Sequence, residues 1–229
     1  MTAEGRIERD WQGEDSVEPG RRLIRLGDKG LSLSERLSTR WHHFVWRTPL
    51  HRLRLRGKFP LKLVAVPDDP LPGNPARGAA LLEGRAIWRG EEIALDAIDF
   101  ADLQVSPGFA DYLQSFAWLR DLGAVANRVE GSPVAESLTR KWLESHAEKV
   151  GGEAWRADIW GWRVFMWASH APLILSSADL VYRSAVLNTI ARGARHLDRT
   201  ADKAPLGVKR VAAWAGVIAA GLVVQGEDA

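Results

Sequence analysis

Residues 154–176 read AWRADIWGWRVFMWASHAPLILS, and their reading decides the class of the fold. Trp160, Val164 and Trp167 recur at helical spacing and share one face, while Trp162 and Phe165 fall on another. Rings on both faces cannot all meet water, so most of them are core and the helix has neighbours on more than one side. Asp158 stands where it would cap the helix, and Pro172 bends or ends it. Trp160 and Trp167 read as buried wall, with Leu138, Trp142, Leu180 and Leu187 of flanking helices as partners. Arg163 lies one turn after Trp160 on the same broad side, and aromatic surroundings would sharpen its attraction for a carboxylate or sulfate. His170 suits a helix end, where a histidine complements the dipole.

Working outward toward the C-terminus, Ser176-Ser177-Ala178-Asp179 has the look of a capping start for a helix through Leu180, Ser184, Leu187, Ala191 and Ala194. Pro205-Leu206-Gly207 then introduces a last helix rich in alanine and glycine. Its stretch Val211–Val224, VAAWAGVIAAGLVV, is short of the roughly 18 residues a membrane span needs and reads as a buried helix. Toward the N-terminus, Ser132-Pro133 reads as N-cap and first residue of a helix carrying Val134, Leu138 and Trp142 to a stop at Gly151-Gly152. Phe109, Leu113, Phe116 and Leu119 mark one before it, running to about Arg128. Five helices with short connections make successive antiparallel hairpins.

Before about residue 105 the hydrophobic period changes. Leu53 and Leu55 alternate with arginines, Leu61–Val66 is a short apolar run, and Ala86–Trp88 can pair with Ile93–Leu95 across Gly90-Glu91. Between them lies PDDPLPGNPARG, residues 67–78, whose four prolines and two glycines predict a rigid loop that is neither helix nor inner strand. Asp68 and Asp69 lack the ligand spacing of a calcium loop and read as turn residues. Leu31–Trp46 has the apolar spacing of a helix ended by Thr48-Pro49, and the polar residues 1–22 read as a disordered tail. The expected architecture is mainly α. A small α+β lead-in region, 23–105, precedes an incomplete α/α toroid of antiparallel helical hairpins over 106–229.

Composition narrows the chemistry. The 229 residues are 46% hydrophobic and include no cysteine, which excludes disulfides, thiolate metal sites and cysteine nucleophiles. No apolar leader segment opens the chain, so a cytoplasmic location is expected, with the periplasm left open. Eight Lys or Arg fall between Arg36 and Pro67 without one acid; such clustering is the sole support for a nucleic-acid partner, which is therefore not expected. There is no P-loop, G-x-S-x-G, H-E-x-x-H or dinucleotide fingerprint, and adjacent His42 and His43 point apart on a helix, so neither a metal site nor a cofactor is expected. In SFAWLRDLGA, residues 115–124, Arg120 can pair only loosely with Asp121, and a Trp118 edge beside the Arg120 guanidinium could line a cleft. Trp118, Arg120, Trp160, Arg163 and His170 are thus the candidate ligand contacts.

Taken together, LRLRG (53–57), VPDDPLPGNPARGAALLEGRAIWRGEEI (66–93), SFAWLRDLGA, the tryptophan stretch and YRSAVLNTIARGARHL (182–197) resemble the N-terminal part of bacterial heparinase II/III family proteins, over roughly residues 45–224. The resemblance implies an α/α toroid followed by a β-sandwich domain. It implies a polysaccharide lyase acting by β-elimination on a uronate glycan: a base takes the C5 proton, the carboxylate is neutralised and the C4 oxygen departs. It places the catalytic residues and the sandwich partner domain beyond Ala229. The alternative function is a non-catalytic module that binds an anionic glycan or an envelope partner.

Overall fold

The computed structural model describes residue 63 and residues 65–223, all within the unit His42–Ala229. The expected tail 1–22, the helix Leu31–Trp46, the alternation at 53–56 and the His42-His43 pair lie outside the described residues. The described part is mainly helical, with one two-stranded sheet. In chain order it contains α1 (Pro75–Leu82), β1 (Arg85–Trp88), β2 (Glu91–Ala94), α2 (Pro107–Gln114), α3 (Trp118–Gly123), α4 (Arg128–His146), α5 (Ala157–Ser169), α6 (Ala171–Ile174), α7 (Leu180–Thr200) and α8 (Val208–Val223). The expected hairpin forms, but its turn lies one residue earlier than Gly90-Glu91, so Ala86 pairs with Ile93 and Glu91 already belongs to β2. Its turn is Arg89-Gly90, both at positive φ, the left-handed pair that a two-residue hairpin turn demands.

The proline loop is shorter than its composition suggested. Helix α1 begins inside it, because Asn74 accepts the backbone N–H groups of Ala76 and Arg77 and Pro75 sits at the first helical position, where no N–H is needed. Gly73 and Gly78 are where this segment crosses α3: a Cβ on either would collide with the backbone of Arg120 or Asp121. Asp121 completes the junction by accepting from Asn74 N at 2.7 Å, Tyr112 Oη at 2.8 Å and Arg77 Nε at 2.9 Å. Arg120 turns the other way, so the adjacent pair does not interact even loosely.

Two further boundaries differ from the sequence reading. The helix expected across 109–128 is broken at Phe116, whose φ of 62° ends α2; the cost of that left-handed backbone is met by a ring buried against Trp118, Trp142 and Trp167. Helix α4 starts at Arg128 rather than at Ser132-Pro133. Asn127 and Glu130 form a capping box, and Pro133 lies inside the helix, where it removes only one i→i−4 bond. Asp158 is not a cap either: it sits in the first turn of α5 and pairs with Arg156.

The core gathers on α5. Trp160 and Trp167 are fully buried, as their shared face predicted, and pack edge-to-face with Trp142 of α4. Gly193 of α7 leaves the space that the Trp160 ring fills. Helix α8 crosses α5 backbone to backbone: a Cβ on Gly216 would collide with the Gly161 backbone, and one on Gly161 with the Ala212 carbonyl. Only that inner face of α8, with Ala212, Ala213, Gly216, Ala219, Ala220 and Val223, is buried. Val211, Trp214, Ile218 and Leu222 are exposed, which corrects the expectation of a helix buried all round.

Candidate functional site

Three of the five candidate ligand contacts are core. Trp118, Trp160 and Arg163 have no exposed surface, so none can meet a glycan. Arg163 is held by carbonyl oxygens instead of an anion. Its Nε donates to Gln114 O at 2.8 Å, its Nη2 reaches the same oxygen, and its Nη1 donates to Ala154 O at 3.0 Å. The guanidinium lies 4.0 Å from the Trp142 ring centroid and 4.7 Å from that of Trp160. Gln114 ends α2, so Arg163 satisfies a carbonyl that the break at Phe116 would otherwise orphan. Burial pushes its pKa well below the usual arginine range, and the carbonyl dipoles and ring faces offset the lost hydration.

The other two candidates converge on a residue that its local setting marked only as part of a turn. Asp69, in the proline loop, receives a two-pronged bond from Arg120, Nε to Oδ2 at 2.7 Å and Nη2 to Oδ1 at 3.0 Å. His170 Nε2 stands 3.3 Å from the same Oδ2, a donor when it carries the proton. Each comes from a different element. Asp69 also accepts from Leu71 N, the turn chemistry expected of it, and that bond fixes the loop's direction. His170 caps the C-terminus of α5, and its ring stands 3.2 Å from where a Cβ on Gly123 of α3 would lie.

Beside this cluster lies a groove of about 290 Å³ between α5 and the N-terminal half of α8. Asp69, Pro70, Leu71 and Arg120 form one rim. Trp162, Phe165, Val208, Val211 and Ala215 form the apolar walls. Trp162 is 39% exposed, with the Arg120 guanidinium 5.8 Å from its ring centroid. Sequence reasoning placed Trp162 and Phe165 on a second face of the helix but did not select them. The signal was there, since a face opposite the packed one must end at another element or at a cleft.

Titration of this region has a definite sign. Burial pushes the His170 pKa down against the opposing pull of Asp69, and it pushes that of His146 down against the Phe100 carbonyl. The unfolded chain therefore takes up protons near pH 6.5 that the folded chain refuses, and stability falls as the pH drops through and below that value. For Asp69, burial alone would raise the pKa, but the Arg120 fork and the Leu71 N–H bring it below the ordinary aspartate value. Its contribution is present above that ordinary value and is lost only as the pH falls through the lower folded one. The urea midpoint is expected to drop between pH 7 and pH 5, and the double variant His146→Gln/His170→Gln to lose most of that slope. A midpoint flat across the window would refute the assignment.

Among the described residues no three His, Asp or Glu side chains stand together as metal ligands, and no helix is long and apolar enough to cross a membrane. No family model and no solved structure matches the chain. One similar protein is FtsZ-localized protein C of Caulobacter vibrioides (strain NA1000 / CB15N), 32% identical over 154 residues. The match takes in 64% of this chain and spans 25% of that protein's length.

Proposed function

We propose that this chain is a non-catalytic helical docking module, and that the groove between α5 and α8 receives a protein partner at FtsZ-containing division sites. One observation carries the reading. Both arginines expected to grip an anion are already engaged, Arg163 by backbone carbonyls and Arg120 by Asp69, so the groove offers apolar surface and ring edges rather than free cationic forks. Such a lining suits a leucine- or aromatic-bearing protein segment better than a carboxylated glycan. The similarity to FtsZ-localized protein C supports the division site as the place of action. That relative is about four times longer than the segment matched.

The test is a fluorescent fusion of the chain imaged together with FtsZ in dividing cells. Coincident bands are expected, and Trp162→Ala is expected to disperse the fusion while leaving the FtsZ band intact. A diffuse wild-type fusion in cells with normal FtsZ rings would overturn the reading.

A second reading is favoured by the placement of His170 beside Arg120 and by the way the proline loop and the Trp-Leu-Arg-Asp helix interlock, since those motifs carry the resemblance to the heparinase II/III family. Here the helices belong to an α/α toroid of a lyase that cleaves uronate glycans by β-elimination, with base and acid supplied from beyond Ala229. Heparan sulfate and alginate incubated with the full-length gene product distinguish the two. Absorbance from an unsaturated uronate product would establish the lyase and exclude the non-catalytic module.

A further inference from the structure

The groove accounts for the N-terminal half of α8 but not for the rest of its outer face. Val208, Val211, Ala215, Ile218 and Leu222 follow one another at intervals of three, four, three and four residues. The four larger side chains among them are between 61% and 82% exposed. That alternation is the 3.5-residue repeat which keeps an apolar seam straight along a pair of supercoiled helices. With Trp214 and Leu206 at its margins, the strip exposes on the order of 700 Å² per copy, above the usual largest patch of a monomer and close to the ~800 Å² one partner contributes to a standard interface.

We propose that a second copy of this chain covers the strip, with two α8 helices packed antiparallel about a two-fold axis at Ala215. The sequence of the helix selects this occupant. A two-fold axis at Ala215 sets Val208 opposite Leu222, each seven residues away, and brings Val211, four residues before it, within one residue of the level of Ile218, three after it, while the small residue at the centre lets the helices approach closely. No charged side chain occurs from Val211 through Val223, so beyond Arg210 at its N-terminal margin the face carries nothing that would select an acidic or basic foreign partner. Lys209 and Arg210 lie at the N-terminal end of α8. A parallel pair would set these cations side by side, whereas the antiparallel pair sets them beside the C-terminal end of the other helix, where its dipole favours positive charge. Val208, Val211 and Ala215 also line the groove, so the two occupants compete for the N-terminal half of the strip, while Ile218 and Leu222 lie outside the groove and serve the paired helices alone.

Light scattering of the 229-residue chain over a range of concentrations tests the assembly. A mass of twice 25.4 kDa is expected. Ile218→Asp, which replaces a side chain already exposed in the single chain, should keep the helical circular dichroism while raising the dimer dissociation constant by more than about 100-fold, since each dimer carries the change twice. The register is tested separately, in a chain that has no cysteine of its own. Ala215→Cys should give a disulfide-linked dimer when diamide takes the two electrons and two protons of the paired thiols, and Lys209→Cys should not. A monomer at every concentration would overturn the proposal. So would an Ile218→Asp variant that keeps the dimer mass, an open-ended series of larger species, or equal cross-linking at 209 and 215. The division-site fusion carrying Ile218→Asp keeps the two readings apart: loss of the dimer with the band retained leaves the groove proposal standing.

Discussion

Arg163→Ala is expected to cost on the order of 4–5 kcal/mol, enough to unfold a domain of ordinary stability. The change leaves the buried Gln114 and Ala154 carbonyls without their donor and empties the space between Trp142 and Trp160. Each unsatisfied buried carbonyl costs about 1–3 kcal/mol, and the cavity adds to that. Arg163→Lys should fall between the two, because a single ammonium cannot span both oxygens as the guanidinium fork does. Urea unfolding followed by tryptophan fluorescence measures both variants. Had Arg163 been a glycan contact, as its sequence setting suggested, the alanine variant would fold normally and lose only binding. A wild-type midpoint for Arg163→Ala would therefore refute the core assignment.

Gly216→Val is the second large effect. The branched side chain enters the place where α8 touches the Gly161 backbone of α5, and neither helix can yield without separating along its length. A loss of at least about 3 kcal/mol is expected, at the upper end for overpacked sites. Gly221→Ala supplies the internal control. Nothing stands within 4 Å of a Cβ at Gly221, so alanine there should stabilise the helix by about 0.5–1 kcal/mol. If both substitutions behave alike in thermal unfolding, the close crossing of α5 and α8 is wrong.

These two sites show where sequence reading succeeds and where it stops. The helix of residues 157–169, its buried Trp160 and Trp167, the hairpin near 85–94 and the Asp179 start of α7 all follow from local spacing or local capping, and the folded chain keeps them. The partners of Arg163 could not be read, because they are backbone carbonyls 49 and 9 residues away, and one is left unpaired only because Phe116 adopts a left-handed backbone. Phe116 itself continues a helical apolar period, so only the surrounding rings reveal the break. Asp69 was legible as a turn residue and not as the meeting point of Arg120 and His170, which lie 51 and 101 residues away. For α8 the composition misled while the spacing was sound. An uncharged helix suggests burial on all sides, yet Gly216 and four alanines lie on the packed face while Val211, Ile218 and Leu222 lie on the exposed one.

The tryptophan arrangement also makes the molecule its own reporter. Trp118, Trp142, Trp155, Trp160 and Trp167 form a sealed cluster with edge-to-face contacts, which should give intense, structured near-ultraviolet dichroism and blue-shifted emission that iodide cannot reach. Trp162 at the groove and Trp214 on the outer face of α8 remain open to the quencher. The inner set therefore follows folding, and among the described residues Trp162 follows occupancy of the groove and Trp214 that of the paired helix. Removing one of these two at a time assigns a change in quenching to a single surface, without any label attached to the chain.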